Sequence, residues 1–192
     1  MAVTHAPTFL EGDASVVAPR LLGCILEREL DGQVVRVRIV ETEAYDQTDI
    51  ASHSYRGRTP RNDVMFGQAG HLYVYFTYGM HYCCNITVGE EGYGAAVLIR
   101  AVEPIQGIDL LRAHRLGHDG PDLCNGPAKL CQALMIDTTM NGHDLALSPL
   151  RLISVNPLPS PRITQTTRVG ISRGQSVPWR FYETGNPYVS RI

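Results

Sequence analysis

The stretch from Cys24 to Tyr45, CILERELDGQVVRVRIVETEAY, decides the fold of this protein. Two runs rich in apolar residues, Cys24–Leu30 and Val34–Glu43, flank the dipeptide Asp31-Gly32. Asp-Gly between two such runs is a strong signal for a two-residue turn between antiparallel strands. The sequence therefore predicts a β-hairpin here.

Further elements follow from the same kinds of signal on either side of this hairpin. Strands are predicted over Leu72–Thr77, Tyr82–Val88, Ala95–Val102, Leu150–Ser154, Arg168–Ile171 and Arg180–Glu183. Helices are predicted from a cap at Asp13 through Leu22, from Pro104 with Ile105, Ile108 and Leu111 inward, and from Gly126-Pro127 with Leu130 and Leu134 inward. Several hairpins and a few helices indicate an α+β domain with a mainly antiparallel sheet.

Composition limits the class of protein. The chain has 192 residues, 44% of them hydrophobic and 19% charged, which favours one ordinary globular domain. The apolar run at Ala95–Ile99 is too short for a membrane span, and residues 1–30 lack the pattern of a signal peptide. We therefore expect a soluble protein of the cytoplasm. Its five cysteines form no CxxC pair and no zinc-finger spacing, so we expect buried thiols.

Charge is distributed unevenly. The net charge is −2, which argues against a general polyanion binder, although Arg56, Arg58 and Arg61 form a local basic cluster. These arginines could meet a phosphate backbone or form an ordinary solvated face.

A candidate acid–base site lies at the end of the second strand. Alternate residues of a strand share one face, so Glu41, Glu43 and Tyr45 point the same way. Two carboxylates and a phenol next to the long polar segment Asp46–Gly70 can perform proton transfer, or they can form a solvated strand face. Arg100, inside an apolar run, needs a partner there, and a carboxylate suits it best.

A tyrosine-rich hairpin forms the second candidate site. Leu72, Val74 and Phe76 are expected to face the core, with Tyr73, Tyr75 and Thr77 opposite. Tyr78 and Met80 flank Gly79 at the tip, where large apolar groups have little core to fill. Such a tip suits a wedge inserted into stacked bases, although aromatic residues on a sheet more often serve packing. His53 in the long loop is a surface residue or a wall of a pocket beside these tyrosines.

At these residues the chain resembles the alkyladenine (3-methylpurine) DNA glycosylases. The matching stretches are Ile39–Tyr45, Thr59–Asn62, Leu72–Tyr75, Tyr78–Met80, Leu98–Pro104, Cys124–Cys131 and Arg168–Gly170. The likeness runs through nearly the whole chain in consistent order. It implies a single domain over residues 1–192 with a curved antiparallel sheet, a protruding hairpin and peripheral helices.

The resemblance also implies residue roles. Glu43 would activate a water molecule that Arg100 helps to hold, without metal or cofactor. Tyr45 and His53 would stack on one side of a base rotated out of the duplex, with Tyr75 on the other side and Asn85 near the exocyclic amine that distinguishes guanine. Tyr78 would fill the gap in the duplex, and the other expected DNA contacts are Met80, His81, Arg58, Arg61 and Lys129. From the resemblance we expect Tyr at the position of His81 in some relatives.

The function expected from this resemblance is base excision repair. A monomeric enzyme near the nucleoid would hydrolyse the N-glycosidic bond of alkylated or deaminated purines in double-stranded DNA. We expect a monofunctional glycosylase, because a lyase needs an amine and only Lys129 and the α-amino group are available. The residues alone leave two alternatives: a nuclease with Glu41 and Glu43 as metal ligands, or a binding module without catalytic activity.

Overall fold

The hairpin that the sequence predicts lies at the centre of the structure. In the computed structural model, which describes residues 7–155 and 158–190, β1 (Ile25–Leu30) pairs with β2 (Gln33–Asp46) in antiparallel register. The turn residues Asp31 and Gly32 both have positive φ angles, 49° and 72°. This geometry matches the right-handed twist of the flanking strands, which explains the Asp-Gly pair.

Strand β2 organises a curved antiparallel sheet. The remaining strands are β3 (Leu72–Thr77), β4 (His81–Thr87), β5 (Ala95–Gln106), β6 (Leu150–Ile153), β7 (Ile163–Thr166) and β8 (Arg180–Glu183). The 14 residues of β2 pair with β1 and β5 and, at Glu41–Glu43, with β8 as well. The sheet runs in the order β3-β4-β5-β2-β1-β6, with β8 joining β2 to β7. The prediction of an α+β domain with an antiparallel sheet is confirmed.

Short helices cover the sheet. They are α1 (Ala14–Arg20), α2 (Ile108–His114) and α3 (Pro127–Ala133), with 3-10 turns at Thr8–Glu11, Asp63–Phe66, Gly120–Leu123, Thr138–Met140 and Ser160–Arg162. Within the described ranges, no helix is long and apolar enough to cross a bilayer. All five cysteines are buried and free, as predicted. Asp13 occupies the N-cap position of α1, but its side chain makes no capping hydrogen bond.

The tyrosine-rich hairpin protrudes from the sheet. β3 and β4 pair along their full length, whereas β4 pairs with β5 only at Asn85–Thr87. Within the described part of the chain, the half of the hairpin that includes the tip therefore has no neighbouring strand beside β4. Phe76, predicted to face the core, is 45% exposed for this reason and contacts the Tyr82 ring at 5.1 Å between centroids.

The helix predicted from Pro104 is wrong. Pro104 lies within β5, opposite a break in the pairing register with β2, and the helix starts only after Gly107, which has a φ of 75°. Proline is tolerated in a strand at such an irregularity, because no ladder hydrogen bond from its nitrogen is required. Ile105, predicted to point inward, is exposed at this break, whereas Leu111 is buried.

The strand predicted at Arg168–Ile171 is also wrong. The strand in this region is β7, which ends at Thr166, and residues 168–171 form an irregular loop. The Val169 N–H donates to the carboxylate of Glu43, and the Arg168 side chain bonds to Asp49. Side chains therefore take the place of strand partners in this loop.

Gly94 gives a test of the packing that anchors the long loop. A Cβ at this position would lie 2.6 Å from Phe66 Cζ and 2.7 Å from Ser54 Cβ. We expect Gly94→Ala to lower the free energy of unfolding by about 1–3 kcal/mol, as overpacked cores do. Urea denaturation measures this change. The matched control is Gly67→Ala, because its new Cβ would meet only Val64 O at 3.4 Å. Equal stability of the two variants would contradict this packing.

Candidate active site

Two carboxylates are buried side by side on β2. Glu41 and Glu43 are both 0% exposed, so the interpretation of this segment as a solvated strand face is wrong. A buried carboxylate needs hydrogen bonds or a cation to offset the lost hydration. The two residues meet this requirement with different partners.

Glu41 is fully engaged by structural contacts. Its Oε1 accepts hydrogen bonds from Arg180 Nε at 2.6 Å and from Ser190 Oγ at 3.0 Å, and lies 3.2 Å from Arg100 Nε. Its Oε2 accepts from the Ser190 N–H at 2.7 Å. Arg180 is itself only 1% exposed. Glu41 therefore ties β2, β5 and β8 to the C-terminal segment.

Glu43 has fewer partners and faces a cleft. Its Oε1 accepts from the Val169 N–H at 2.8 Å and lies 3.6 Å from Arg100 Nη1. Its Oε2 accepts from the Tyr45 hydroxyl at 2.9 Å. Burial raises the pKa of Glu43 above its ordinary value, while Arg100, the Val169 N–H and the Tyr45 hydroxyl act in the opposite direction. A carboxylate in this setting is a stronger proton acceptor than an exposed one.

The cleft beside Glu43 has a volume of about 450 Å³, within the usual range of ligand pockets. The structure brings seven of the predicted site residues to its walls: Glu43, Tyr45, His53, Tyr75, Tyr78, Asn85 and Arg100. They come from β2, the long loop, the protruding hairpin and β5, which the antiparallel sheet places next to one another. The predicted carboxylate partner of Arg100 is also found.

His53 packs on the wall formed by Tyr75. The two rings meet edge to face with centroids 4.5 Å apart, and His53 Nδ1 lies 2.9 Å from the Tyr73 hydroxyl. A base held between two rings needs them about 7 Å apart, so none fits between His53 and Tyr75 in this arrangement. The expected grouping of His53 with Tyr45, opposite Tyr75, therefore does not match this geometry.

Electrostatics keep the aromatic walls uncharged. Burial lowers the pKa of His53, and the nearby Arg61 acts in the same direction. Burial also raises the pKa of the Tyr45 and Tyr75 phenols. His53 is held in place by the buried Asn62, whose Nδ2 donates to the His53 carbonyl at 2.8 Å. The Thr59–Asn62 stretch thus acts as a support for the cleft.

Tyr45 is supported by residues to which the sequence analysis gave no role at the site. The Arg168 guanidinium carbon lies 4.6 Å from the centre of the Tyr45 ring and 5.5 Å from that of Trp179. Arg168 forms a bidentate ion pair with Asp49, in which Nη1 and Nη2 each contact one carboxylate oxygen. The Val169 N–H was also missed, because a backbone donor leaves no side-chain signal; the positive φ of Gly170, 76°, marks only a tight turn.

The other predicted DNA contacts lie outside the cleft. Met80 and His81 are exposed on the hairpin. Arg61 Nη2 donates to the Phe76 carbonyl at 3.4 Å, and Arg58 is paired with Asp63 at 2.5 Å. Lys129 Nζ is 2.5 Å from Asp122 and 2.7 Å from Asn125. Arg173, not singled out from the sequence, lines the cleft.

Comparison with known proteins identifies the family. The profile of the methylpurine-DNA glycosylases matches residues 8–187 of this chain. The chain belongs to this family. It is 50% identical over 184 residues to a Carboxydothermus hydrogenoformans protein named as a 3-methyladenine DNA glycosylase, covering 95% of this chain and 96% of the relative. A protein of the same name from Methanoculleus marisnigri is 50% identical over 192 residues, covering 98% and 100% of the two chains. The corresponding Burkholderia lata protein is 47% identical over 186 residues, covering 95% and 88%.

The protein is therefore a DNA glycosylase, an enzyme of DNA repair that hydrolyses N-glycosyl bonds. Its substrate is DNA. The family assignment agrees with the resemblance seen in the sequence.

The raised pKa of Glu43 predicts a stability gain from its removal. A carboxyl group whose pKa is higher in the folded state than in the unfolded state destabilises the folded state at high pH. For Glu43 this destabilisation develops as the pH rises from the ordinary pKa, 4.5, through the raised pKa of the folded protein. We expect Glu43→Gln to be more stable than the wild type in urea at pH 8, with the difference narrowing toward pH 4.5.

Glu41→Gln is the control for this stability measurement. It leaves the buried Arg180 without its anion and should cost about 3–5 kcal/mol. A Glu43→Gln protein less stable than the wild type at pH 8 would contradict the assigned burial penalty.

Proposed function

We propose that this glycosylase rotates damaged purines out of duplex DNA and hydrolyses their N-glycosidic bonds with a water activated by Glu43. The observation that carries the proposal is the buried Glu43 carboxylate, which faces an aromatic cleft and is paired with Arg100. A base in a stacked duplex is out of reach of such a group, so the nucleotide must leave the stack first.

In the proposed reaction Glu43 accepts a proton from water as the water oxygen bonds to C1′ of the sugar. The bond between C1′ and the base nitrogen breaks, and its electron pair leaves with the base. A cationic base departs as a neutral molecule, whereas a neutral base such as hypoxanthine takes up a proton from solvent as it departs. Arg100 and the Val169 N–H favour the ionised form of Glu43, and Arg100 also helps to orient the water. The products are a free base and an abasic site.

The walls of the cleft suit a purine. Tyr45 forms one wall, and His53 and Tyr75 form the other, since these two rings contact each other. Electron-rich rings favour an alkylated purine that carries positive charge. Asn85 Nδ2 donates to the Tyr73 carbonyl at 3.1 Å, which fixes the amide in the wall of the cleft. In that place it would crowd the exocyclic amine of guanine. 7-Methylguanine has the same amine and is proposed as a substrate because its positive charge weakens the N-glycosidic bond and favours the electron-rich rings. Alkylated purines such as 3-methyladenine and 7-methylguanine, and the neutral lesions hypoxanthine and ethenoadenine, are the proposed substrates.

The protruding hairpin supplies the proposed wedge. Tyr78 is 80% exposed and Met80 69% exposed, both beyond the edge of the sheet. Tyr78 has a φ of 52° and the following Gly79 a φ of 68°, positive angles of the kind that tight hairpin turns require. Its ring would replace the stacking lost when the base rotates out.

Other contacts with DNA involve the cationic and polar surface near the cleft. His81, Arg58, Arg61 and Lys129 are the proposed backbone contacts, with Arg173 added because it lines the cleft. Arg58 and Lys129 are paired with aspartates, so their attraction for phosphate is reduced. We further propose that the enzyme acts as a monomer at the nucleoid, where its substrate lies.

We propose a monofunctional enzyme. The sequence has a single lysine, Lys129, and its amine is bound to Asp122 and Asn125 rather than directed into the cleft. The α-amino group of residue 1 lies outside the described residues. Attack on C1′ is therefore assigned to water rather than to an amine.

The hydrogen bonds to Glu41 and Glu43 argue against the alternative in which these two residues bind the metal ion of a nuclease. Both oxygens of Glu41 accept hydrogen bonds from Arg180 or Ser190, and both oxygens of Glu43 are also engaged. Within residues 7–155 and 158–190, no cluster of three or more potential ligands could hold a metal ion. A binding module without catalysis would not need a buried carboxylate in its cleft.

The experiment compares the wild type, Glu43→Gln and Glu41→Gln on duplexes with one hypoxanthine, in excess EDTA. Released base and alkali-labile abasic sites are followed in single turnovers. We expect the wild type to release base and Glu43→Gln to lose about 10²–10⁴-fold in rate with little change in DNA affinity, because glutamine cannot accept the proton.

Glu41→Gln is the matched control, because it removes a neighbouring charge on the same strand face. The folded part of the Glu41→Gln protein should release hypoxanthine far faster than the Glu43→Gln protein does. The opposite ranking would make Glu41 the base. A Glu43→Gln protein that releases hypoxanthine at the wild-type rate would contradict the proposed mechanism.

A further inference from the structure

An ion pair lies behind the Tyr45 wall of the cleft. The Arg168 guanidinium carbon is 4.6 Å from the centre of the Tyr45 ring. Tyr45 lines the cleft, whereas neither Arg168 nor Asp49 does. Arg168 therefore covers the face of the ring that is turned away from the cleft.

The ion pair is sealed from solvent. The side chain of Arg168 is 0% exposed and that of Asp49 is 3% exposed. Arg168 also donates to the Ala44 carbonyl at 3.0 Å and to the Gly174 carbonyl at 3.3 Å. A Cβ on Gly174 would lie 3.1 Å from Asp49 Oδ1 and 3.3 Å from Arg168 Nη2, so the loop backbone closes directly over the pair. Charges held this way are poorly screened by water or salt.

The pair matters for the charge of a base on the other side of Tyr45. A base stacked on that ring would lie about 8 Å from the guanidinium, the 4.6 Å to the ring plus one stacking distance. An unpaired guanidinium there would repel a cationic base and compete for the electron density of the ring. Asp49 neutralises it, so the wall presents an electron-rich ring with no net charge behind it.

We propose that the buried Arg168–Asp49 pair sets the charge preference of the base pocket, allowing one cleft to accept both cationic and neutral damaged purines. This inference rests on the proposed function. Asp49 and Arg168 act through Tyr45 and are positioning residues: the arginine braces the ring, and the aspartate cancels the charge of that brace.

The test measures the ratio of kcat/KM for a cationic base, 7-methylguanine, to that for a neutral base, hypoxanthine, in otherwise identical duplexes. The variants are Asp49→Asn, Arg168→Gln and the double substitution. Asp49→Asn leaves a buried positive charge and should lower the ratio by about tenfold; Arg168→Gln leaves a negative charge and should raise it by about tenfold. The double variant has no net charge there and should keep the wild-type ratio within about threefold.

A purely structural role would reduce excision of both bases together and leave the ratio unchanged, which would overturn the inference. Thermal unfolding identifies the folded variants. If one single variant does not fold, the other single variant and the double variant still give a signed comparison. If neither single variant folds, a double variant whose ratio differs tenfold from the wild type overturns the inference. A wild-type protein that releases neither base would instead contradict the proposed function.

Discussion

Two negative charges buried two residues apart on one strand are the constraint on which the rest of this structure depends. Glu41 and Glu43 have no exposed surface, and carboxylates in such a setting are tolerated only with cations and hydrogen-bond donors around them. Arg100 on β5 and Arg180 on β8 supply the cations, and the backbone N–H groups of Ser190 and Val169 supply donors. Segments distant in sequence are thereby drawn to one point on β2.

The two carboxylates differ because their surroundings differ. Glu41 is occupied by contacts with Arg180, Ser190 and Arg100, and it does not line the cleft. Glu43 keeps a looser contact with Arg100 and faces the cleft, and burial raises its pKa. A division of labour between neighbouring carboxylates by environment is a common way to build acid–base chemistry from one residue type. Here the environment assigns structure to Glu41 and the proposed catalysis to Glu43.

Local patterns predicted much of the fold and part of the site. The Asp31-Gly32 turn, the strand Leu72–Thr77 and a carboxylate partner for Arg100 follow from turn chemistry, strand alternation and the cost of burying an arginine. The pairing of Arg100 with Glu43 in particular is implied by the family resemblance. The errors arose where tertiary contacts override local preference. Pro104 continues a strand because it sits at a register break, and residues 168–171 form no strand because side chains satisfy the backbone there. The Asp49–Arg168 pair spans 119 residues and leaves no short-range signature.

The most direct measurement of the central claim is the pH dependence of single-turnover excision of hypoxanthine by the wild type and by Arg100→Gln. A base that must be ionised makes the rate fall on the acid side, and the raised pKa of Glu43 places that fall above the ordinary 4.5. Removing the Arg100 guanidinium withdraws an influence that lowers this pKa, so the acid-side fall should move to higher pH in the variant. An acid-side fall at the same pH in both proteins, or none at all, would contradict the assignment of Glu43 as a base held ionised by Arg100.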